Sequence, residues 1–381
     1  MNRIDGDAQT VAYLLEANWT RKQIAELLHI PAKRRDKLTR LIRHANERKW
    51  LYERFTYAPP SQEDRAEIER RVRAESREFR EYLWRLADLH GVRRVVDVFM
   101  LPADVARGDS LDEFGLQAAA CLKTLLQGKI RSVGVAWGTN LASTIRGLRS
   151  LYPEGYRRKP PIIFFAARGE PQCAPPRPHS ASRLAAELHQ IVNGGDGELY
   201  ALAGVPAMMP SGFRGKQREA LITYFESIKT FEAIAVGSKS LLATAGGILS
   251  SVGPADPSSD LSRECIENGG LTASQLVART WGDLAGVHVA KQPDADVVGR
   301  WNGAWLGLQE SHLKLAARRA AKGLGLGVVV VAASAGKGRI VLECLRRGLV
   351  SRLIIDQSLT AELKDLLIAE LSTRRPPAPA V

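Results

Sequence analysis

The hydrophobic positions of this chain change their period twice, and the changes divide it into parts. Over the first ~50 residues they recur at helical spacing. Val11, Leu14 and Leu15 form one apolar face, Asn18-Trp19 breaks it, and Ile24, Leu27 and Leu28 form a second, with the small Ala25 where two helices can cross closely. Thr20 stands in N-cap position with Gln23 at capping-box spacing. His29-Ile30-Pro31 reads as a turn, and a third helix from about Ala32 carries Leu38, Leu41 and Ile42 inward. Tyr57-Ala58-Pro59-Pro60 reads as a hinge. From Ser61 to Leu89 a single apolar stripe, Ile68, Val72, Phe79, Leu83 and Leu86, lies on an otherwise Arg/Glu-rich helix. That stripe must be buried, either on the domain that follows or on its twin in a dimer.

After His90-Gly91 short apolar runs alternate with helix-length segments. Strands are expected at Val95 to Met100, Val133 to Trp137, Ile162 to Ala166, Ala233 to Val236, Val328 to Ala332 and Leu353 to Ile355. Helices are expected at Leu116 to Leu126, Leu141 to Leu151, Ala181 to Val192, Gln217 to Thr230 and Ile340 to Gly348. This pattern predicts an α/β domain with a mostly parallel, doubly wound sheet behind an all-α helix-turn-helix. Ser250 to Ser259 reads as an exposed loop, and Arg374 to Val381 as a disordered tail. The expected division is 1–56, 57–89, 90–373 and 374–381.

Composition adds a partner. The 381 residues are 45% hydrophobic and 25% charged, as in a soluble globular protein. Lys and Arg number 54 against 41 Asp and Glu, a formal charge of +13 that points to a polyanion, with nucleic acid first. The third helix concentrates that charge in Lys33, Arg34, Arg35, Lys37, Arg40 and Arg43. In a helix-turn-helix this helix enters the major groove, so the DNA-contacting candidates are Thr20, Lys33, Arg34, Arg35, Lys37 and Arg40. No aromatic-rich strand module for RNA is present. Cys121, Cys173, Cys265 and Cys344 show no CxxC spacing, which implies a reducing compartment and no zinc site. No signal layout or long apolar span is evident, and a cytoplasmic location is expected.

Ligands of open α/β sheets collect beyond the carboxyl ends of the strands. Four expected ends carry small residues and cations: Gly138-Thr139-Asn140, Arg168-Gly169, Gly237-Ser238-Lys239 and Ser334-Ala335-Gly336-Lys337. The first is a strand, tight turn and helix, which either only terminates the strand and caps the helix or aims backbone N–H groups at an anion. Arg168 suits a phosphate or carboxylate. The loop at Lys337 is not a Walker A motif, because Val331 and Gly338 stand where Gly and Ser/Thr are required. Gly323 to Gly327 precedes a strand and is no dinucleotide fingerprint. Asp283 is the one candidate carboxylate. There is no GxSxG and no HExxH, so no nucleophile or metal set is recognisable.

In order along the chain, TRKQIAELLHI at Thr20, LADLHGVRRVVDV at Leu86, VGVAWGTNLA at Val133, AARGEP at Ala166, TWGDLAG at Thr280 and VVVVAASAGKGRIVLECLRRGLVSRLIIDQSLTAELKDLL at Val328 resemble the SorC-type, DeoR-like bacterial transcriptional regulators. The resemblance covers nearly the whole chain. It implies an effector domain with a sugar-phosphate isomerase-like fold and a pocket for a phosphorylated sugar. Gly138, Thr139 and Asn140 match the family's phosphate-cradling turn, Arg168 its arginine after the next strand, Asp283 its acidic sugar contact and Lys337 its lysine. Gly169 and Ser238 fall in the matching loops. Several positions depart from the family pattern. Asn140 replaces a second hydroxyl or an arginine, His179-Ser180-Ala181-Ser182 an Asn-rich helix start, Ala333-Ser334 a double glycine and Arg35 an apolar residue. About three extra residues precede Lys49-Trp50-Leu51.

The expected function is that of a DNA-binding transcriptional regulator, a homodimer or homotetramer, whose operator affinity is set by a small anionic effector, with no cofactor and no catalytic residue. Two alternatives stay open: a sugar-phosphate isomerase-like enzyme using Asp283 as base, and a regulator with a degenerate pocket.

Overall fold

Runs of Val and Ile that cannot reach water form the centre of the protein. The strand at Gly327–Ala332 is buried at every position, which requires helices on both faces. The computed structural model describes residues 8, 11, 24, 30, 35–47, 62–172, 180–292 and 294–373. The chain divides into two units, Met1–Val72 and Arg73–Val381.

In the first unit Ala8, Val11, Ile24, Ile30, Leu38, Leu41 and Ala45 share one apolar cluster, with Ile42 against it. Helix α1, Arg35–Glu47, turns Leu38, Leu41 and Ala45 inward and leaves Lys37, Thr39, Arg40 and Arg43 exposed. This is the inward face expected of the third helix. Thr20, Lys33, Arg34 and the side chain of Arg35 lie outside the described residues, as do Leu14, Leu15, Leu27 and Leu28.

Helix α2 runs Gln62–Leu89. Its Phe79, Leu83 and Leu86 are buried in the main core of the second unit, so this part of the stripe packs on the α/β domain. The side chains of Ile68 and Val72 lie outside the described residues.

The elements that follow are β1 (Asp97–Met100), α3 (Leu111–Leu126), β2 (Ser132–Val135), α4 (Thr139–Leu151), β3 (Ile163–Ala166), α5 (Ala181–Asn193), β4 (Leu199–Tyr200), α6 (Gly215–Ser227), α7 (Lys229–Ala235) and α8 (Leu241–Thr244). Then come β5 (Gly247–Ser250), β6 (Val252–Pro254), α9 (Asp260–Glu267), α10 (Ala273–Arg279), β7 (Thr280–Leu284) and β8 (Val287–Ala290). The last are α11 (Ala295–Asn302), α12 (Glu310–Ala320), β9 (Gly327–Ala332), α13 (Gly338–Arg346), β10 (Arg352–Ile355) and α14 (Gln357–Thr373). Seven strands form one sheet in the order β1-β10-β9-β5-β2-β3-β4, and every neighbouring pair runs parallel. Alternation along β9 places Val328, Val330 and Ala332 in one core with Leu359, Leu363 and Leu367 of α14. Val329 and Val331 enter the opposite core with Phe114 and Leu122 of α3 and Ile145 of α4. The doubly wound parallel sheet is thus as expected.

The order in which strands are added reverses in the middle of this sheet. From β2 the next strand is β3 on one side, whereas β5, paired with β2, is followed in the sheet by β9 on the other side. The carboxyl ends of β2 and β5 therefore flank a topological switch point.

Three expectations are corrected. Residues 233–236 are no strand; Ala233 to Ala235 end α7, and the buried strand comes later as β5. Its two hydrophobic residues, Ile248 and Leu249, are too few to register as a run. The expected helix from Gln217 to Thr230 is two helices, parted at Ile228. Ser250 to Ser259 is no simple exposed loop: Ser250, Ser251 and Val252 are buried, and β6 opens a three-stranded antiparallel sheet, β6-β7-β8. The β7–β8 hairpin turns through Ala285 (φ 53°) and Gly286 (φ 75°), the two positive dihedrals of a tight hairpin turn. It is the element that closes over the end of β3.

Candidate functional site

The turn after β2 is shaped by Gly138, whose φ is +146°. A Cβ there would lie 2.5 Å from the Cβ of Ser251 at the end of β5, so both the dihedral and the close approach demand glycine. Helix α4 starts at the next residue, with Gly138 as an N-cap that provides no side-chain acceptor. Its first N–H groups and the positive end of its dipole are thus left for another partner. Thr139 is exposed there, whereas Asn140 is buried, with 5% of its surface exposed.

Two donors fix the orientation of the Asn140 amide. One terminal atom of the amide lies 3.0 Å from Lys337 Nζ and 2.6 Å from the backbone N of Ala333; because both neighbours are donors, that atom is assigned as the oxygen, which accepts from both. Lys337 sits between β9 and α13, so the ends of β2, β5 and β9 meet around one hydrogen-bonded group. Burial lowers the Lys337 ammonium pKa, while the negative charges of Asp356 and Asp283 raise it. The loop carrying the lysine is held from α14. Asp356 Oδ2 accepts from Ser334 N at 3.0 Å, and Glu362 Oε2 accepts from Gly336 N at 2.8 Å and Gly338 N at 3.1 Å. Ser334 has a φ of 82°, a left-handed conformation stabilised by that bond.

Asp283 lies on β7, buried, with Oδ2 accepting from Gly286 N at 2.8 Å. Burial pushes its carboxyl up to about 6 against the opposing effects of that N–H, Arg168 and Lys337. Arg168 is fully buried. Its Nε donates to Ala285 O, its Nη2 to Leu308 O at 3.1 Å, and its guanidinium lies 4.7 Å over the Trp305 ring. Nη1 has no hydrogen-bond partner among the described residues. Burial pushes this guanidinium down to about 9, with Asp283 opposing. Arg168 thus binds the β7–β8 turn and the 305–308 segment to the end of β3, and it does not reach solvent. Behind it His288, pushed down to about 3 by burial, lies 3.2 Å from the Cys265 sulfur, whose thiol burial pushes up. The neutral thiol and imidazole pair is shut in beside Trp301 and Trp305.

Of the eight positions expected from sequence, Gly138, Asn140 and Lys337 are brought together around one hydrogen-bonded group, with Thr139 beside it. Asp283 acts on Lys337 through charge, and Arg168 acts on Asp283 in the same way. Gly169 is buried against the Pro206 carbonyl, where a Cβ would collide, so its glycine serves packing. Ser238 is exposed and precedes the amino end of β5, so it is not at a strand's carboxyl end. Ser251, Asp356 and Glu362 join the site without having been among the sequence candidates. Asp356 carries a signal, a carboxylate straight after the run Leu353 to Ile355; Ser251 carries none, because β5 has no recognisable pattern. Among the described residues no group of three metal-ligating side chains occurs.

No protein-family model matches the sequence, and no curated protein matches it. Solved structures do match. The full-length sorbitol operon regulator SorC from Klebsiella pneumoniae aligns with a TM-score of 0.54 and 17% identity, over 94% of this chain and 98% of that one. A domain of a possible sugar-binding transcriptional regulator from Arthrobacter aurescens TC1 aligns at 0.52 and 19%, over 77% and 97%. The putative sugar-binding domain of a transcriptional repressor from Vibrio fischeri aligns at 0.50 and 18%, over 76% and 99%. The chain has the fold of SorC-type regulators.

Proposed function

We propose that the protein is a DNA-binding transcriptional regulator whose α/β unit binds a small anionic metabolite of the phosphorylated-sugar class. One observation carries this reading: Lys337 Nζ is held by Asn140 beside the uncapped start of α4. A fixed ammonium and a set of free helix N–H groups at a topological switch point are suited to a phosphate. Asp283, nearby and buried, supplies an acceptor for sugar hydroxyls. The basic outer face of α1 supplies the DNA contacts through Lys37 and Arg40, with Thr20, Lys33, Arg34 and Arg35 completing the reader. An effector that binds one arrangement of the oligomer better shifts operator affinity by that differential free energy.

A thermal-shift screen of phosphorylated sugars tests the pocket, since a ligand of the native state raises the melting temperature by mass action. Mobility shift on promoter DNA across a salt series tests the reader. Thr139→Glu places a carboxylate at the start of α4 and abolishes the effector response while basal DNA binding persists. If response and binding both survive, the turn is only a helix cap. The carboxyl of Asp283, at about 6, also has the poise of a general base, and turnover of a phosphosugar in the same screen would replace the regulator reading with an isomerase-type one.

A further inference from the structure

Helix α14 touches two parts of the second unit that are far apart in sequence. One is the loop that carries Lys337. Asp356, directly before the helix, bonds Ser334 N and also Leu359 N at 3.0 Å, which ties the loop to the helix start. One turn further, Glu362 holds both Gly336 N and Gly338 N with a single oxygen. The other part is the end of α2. Lys364 Nζ donates to Glu78 Oε2 at 2.8 Å, and His90 Nε2 lies 3.5 Å from Glu370 Oε1. Between these two polar links Phe79, Leu83 and Leu86 are buried in the same core as Leu359, Leu363 and Leu367.

Glu362 and Lys364 are two positions apart on a helix, so they point to opposite sides, with the buried leucines between them. A helix anchored in this way moves as a rigid body when either side is displaced. The loop is fixed to it by charge-assisted bonds from the backbone N–H groups of Ser334, Gly336 and Gly338 to the carboxylates of Asp356 and Glu362.

We propose that α14 relays occupancy of the Lys337 site to the carboxyl-terminal part of α2, through Glu362 on one side and Lys364 and Glu370 on the other. This rests on the site reading given above, and supplies its regulation. An anion bonded to Lys337 draws the loop toward the start of α4. The loop draws Glu362, and α14 repositions residues 78–90, the stretch that joins the α/β unit to the sequence before it.

Amide hydrogen exchange on the full chain tests the relay without any ligand. In Glu362→Ala, exchange at Gly336 and Gly338 is expected to rise about tenfold, the loss of one charge-assisted bond. Exchange across residues 79–90 should rise with it, while α5 stays unchanged. Glu362→Gln keeps an acceptor oxygen and should show both increases at reduced size, which guards against a poorly folded alanine variant. Faster exchange in the loop alone overturns the relay. A second arm adds inorganic phosphate to the wild type: protection at 334–338 supports the site, and protection at 79–90 that disappears in Glu362→Ala supports the relay. Phosphate that protects neither segment counts against the site reading, while the ligand-free comparison still decides the relay.

Discussion

Asn140 accepts a hydrogen bond from Lys337 Nζ at 3.0 Å through its side-chain oxygen. A neutral amide holds the ammonium without cancelling its charge, so the lysine stays available to an anion. Lys337→Met is therefore expected to weaken phosphosugar binding by roughly 10–100-fold, the worth of a charge-assisted hydrogen bond. Asn140→Asp should weaken it too, because the new carboxylate neutralises the lysine internally. Titration by thermal shift measures both. Unchanged affinity in Lys337→Met places the ligand elsewhere.

Asp283 gives a pH dependence with a definite sign. Its folded pKa, about 6, lies above the unfolded value, so between about pH 4 and 6 the native state holds a proton that the unfolded state has lost. Stability from this group falls as pH rises through that window and stays low above it. His288, pushed down to about 3, acts oppositely: below about 6.5 the unfolded state takes a proton that the native state refuses, and stability falls with falling pH. The two effects overlap, so the wild-type curve alone separates neither. Asp283→Asn isolates the first. It is expected to be more stable than wild type by roughly 3 kcal/mol at pH 7, with the difference vanishing toward pH 4. Urea unfolding at several pH values checks this, and a constant difference across the series would contradict it.

The same residues show how much of the fold and site is legible in sequence. Strands such as β9 and β10 declare themselves because both faces are buried and nearly every position is apolar, and the ends of β2 and β9 lead directly to Gly138 and Lys337. β5 has two large apolar residues between Gly247 and Ser250 and reads as nothing in particular, although it lies in the centre of the sheet. Its invisibility hides Ser251 and lets Ser238 pass for a strand-end residue. Arg168 does follow β3, yet its bonds to Ala285 and Leu308, 117 and 140 positions away, exist only through the tertiary fold. No local pattern distinguishes a guanidinium that meets ligand from one that holds two carbonyls. Glu362 is equally hidden, as a charged residue on an amphipathic helix whose partners lie in another loop.

Gly138 offers a test of shape separate from charge. Gly138→Ala must adopt a positive φ and place a methyl against Ser251. The expected cost is about 2 kcal/mol or more in unfolding free energy, measured by urea denaturation, together with loss of any phosphosugar response. A neutral substitution would mean that the turn relaxes freely, and the argument for a preformed cradle would fail with it.

The outer and inner faces of α1 should separate cleanly. Lys37 and Arg40 are exposed, whereas Leu38 and Leu41 are buried. Leu41→Ala leaves a cavity in the apolar cluster and should destabilise the first unit by about 2–4 kcal/mol. Lys37→Ala with Arg40→Ala should leave its stability within about 0.5 kcal/mol. The double variant should also make the plot of log affinity against log salt shallower, by roughly 0.9 for each phosphate that is no longer neutralised. A weakening that is uniform across DNA sequences assigns the two side chains to phosphates; one confined to a single sequence assigns them to base edges. Unaltered affinity and salt slope in the double variant would remove α1 from the DNA interface.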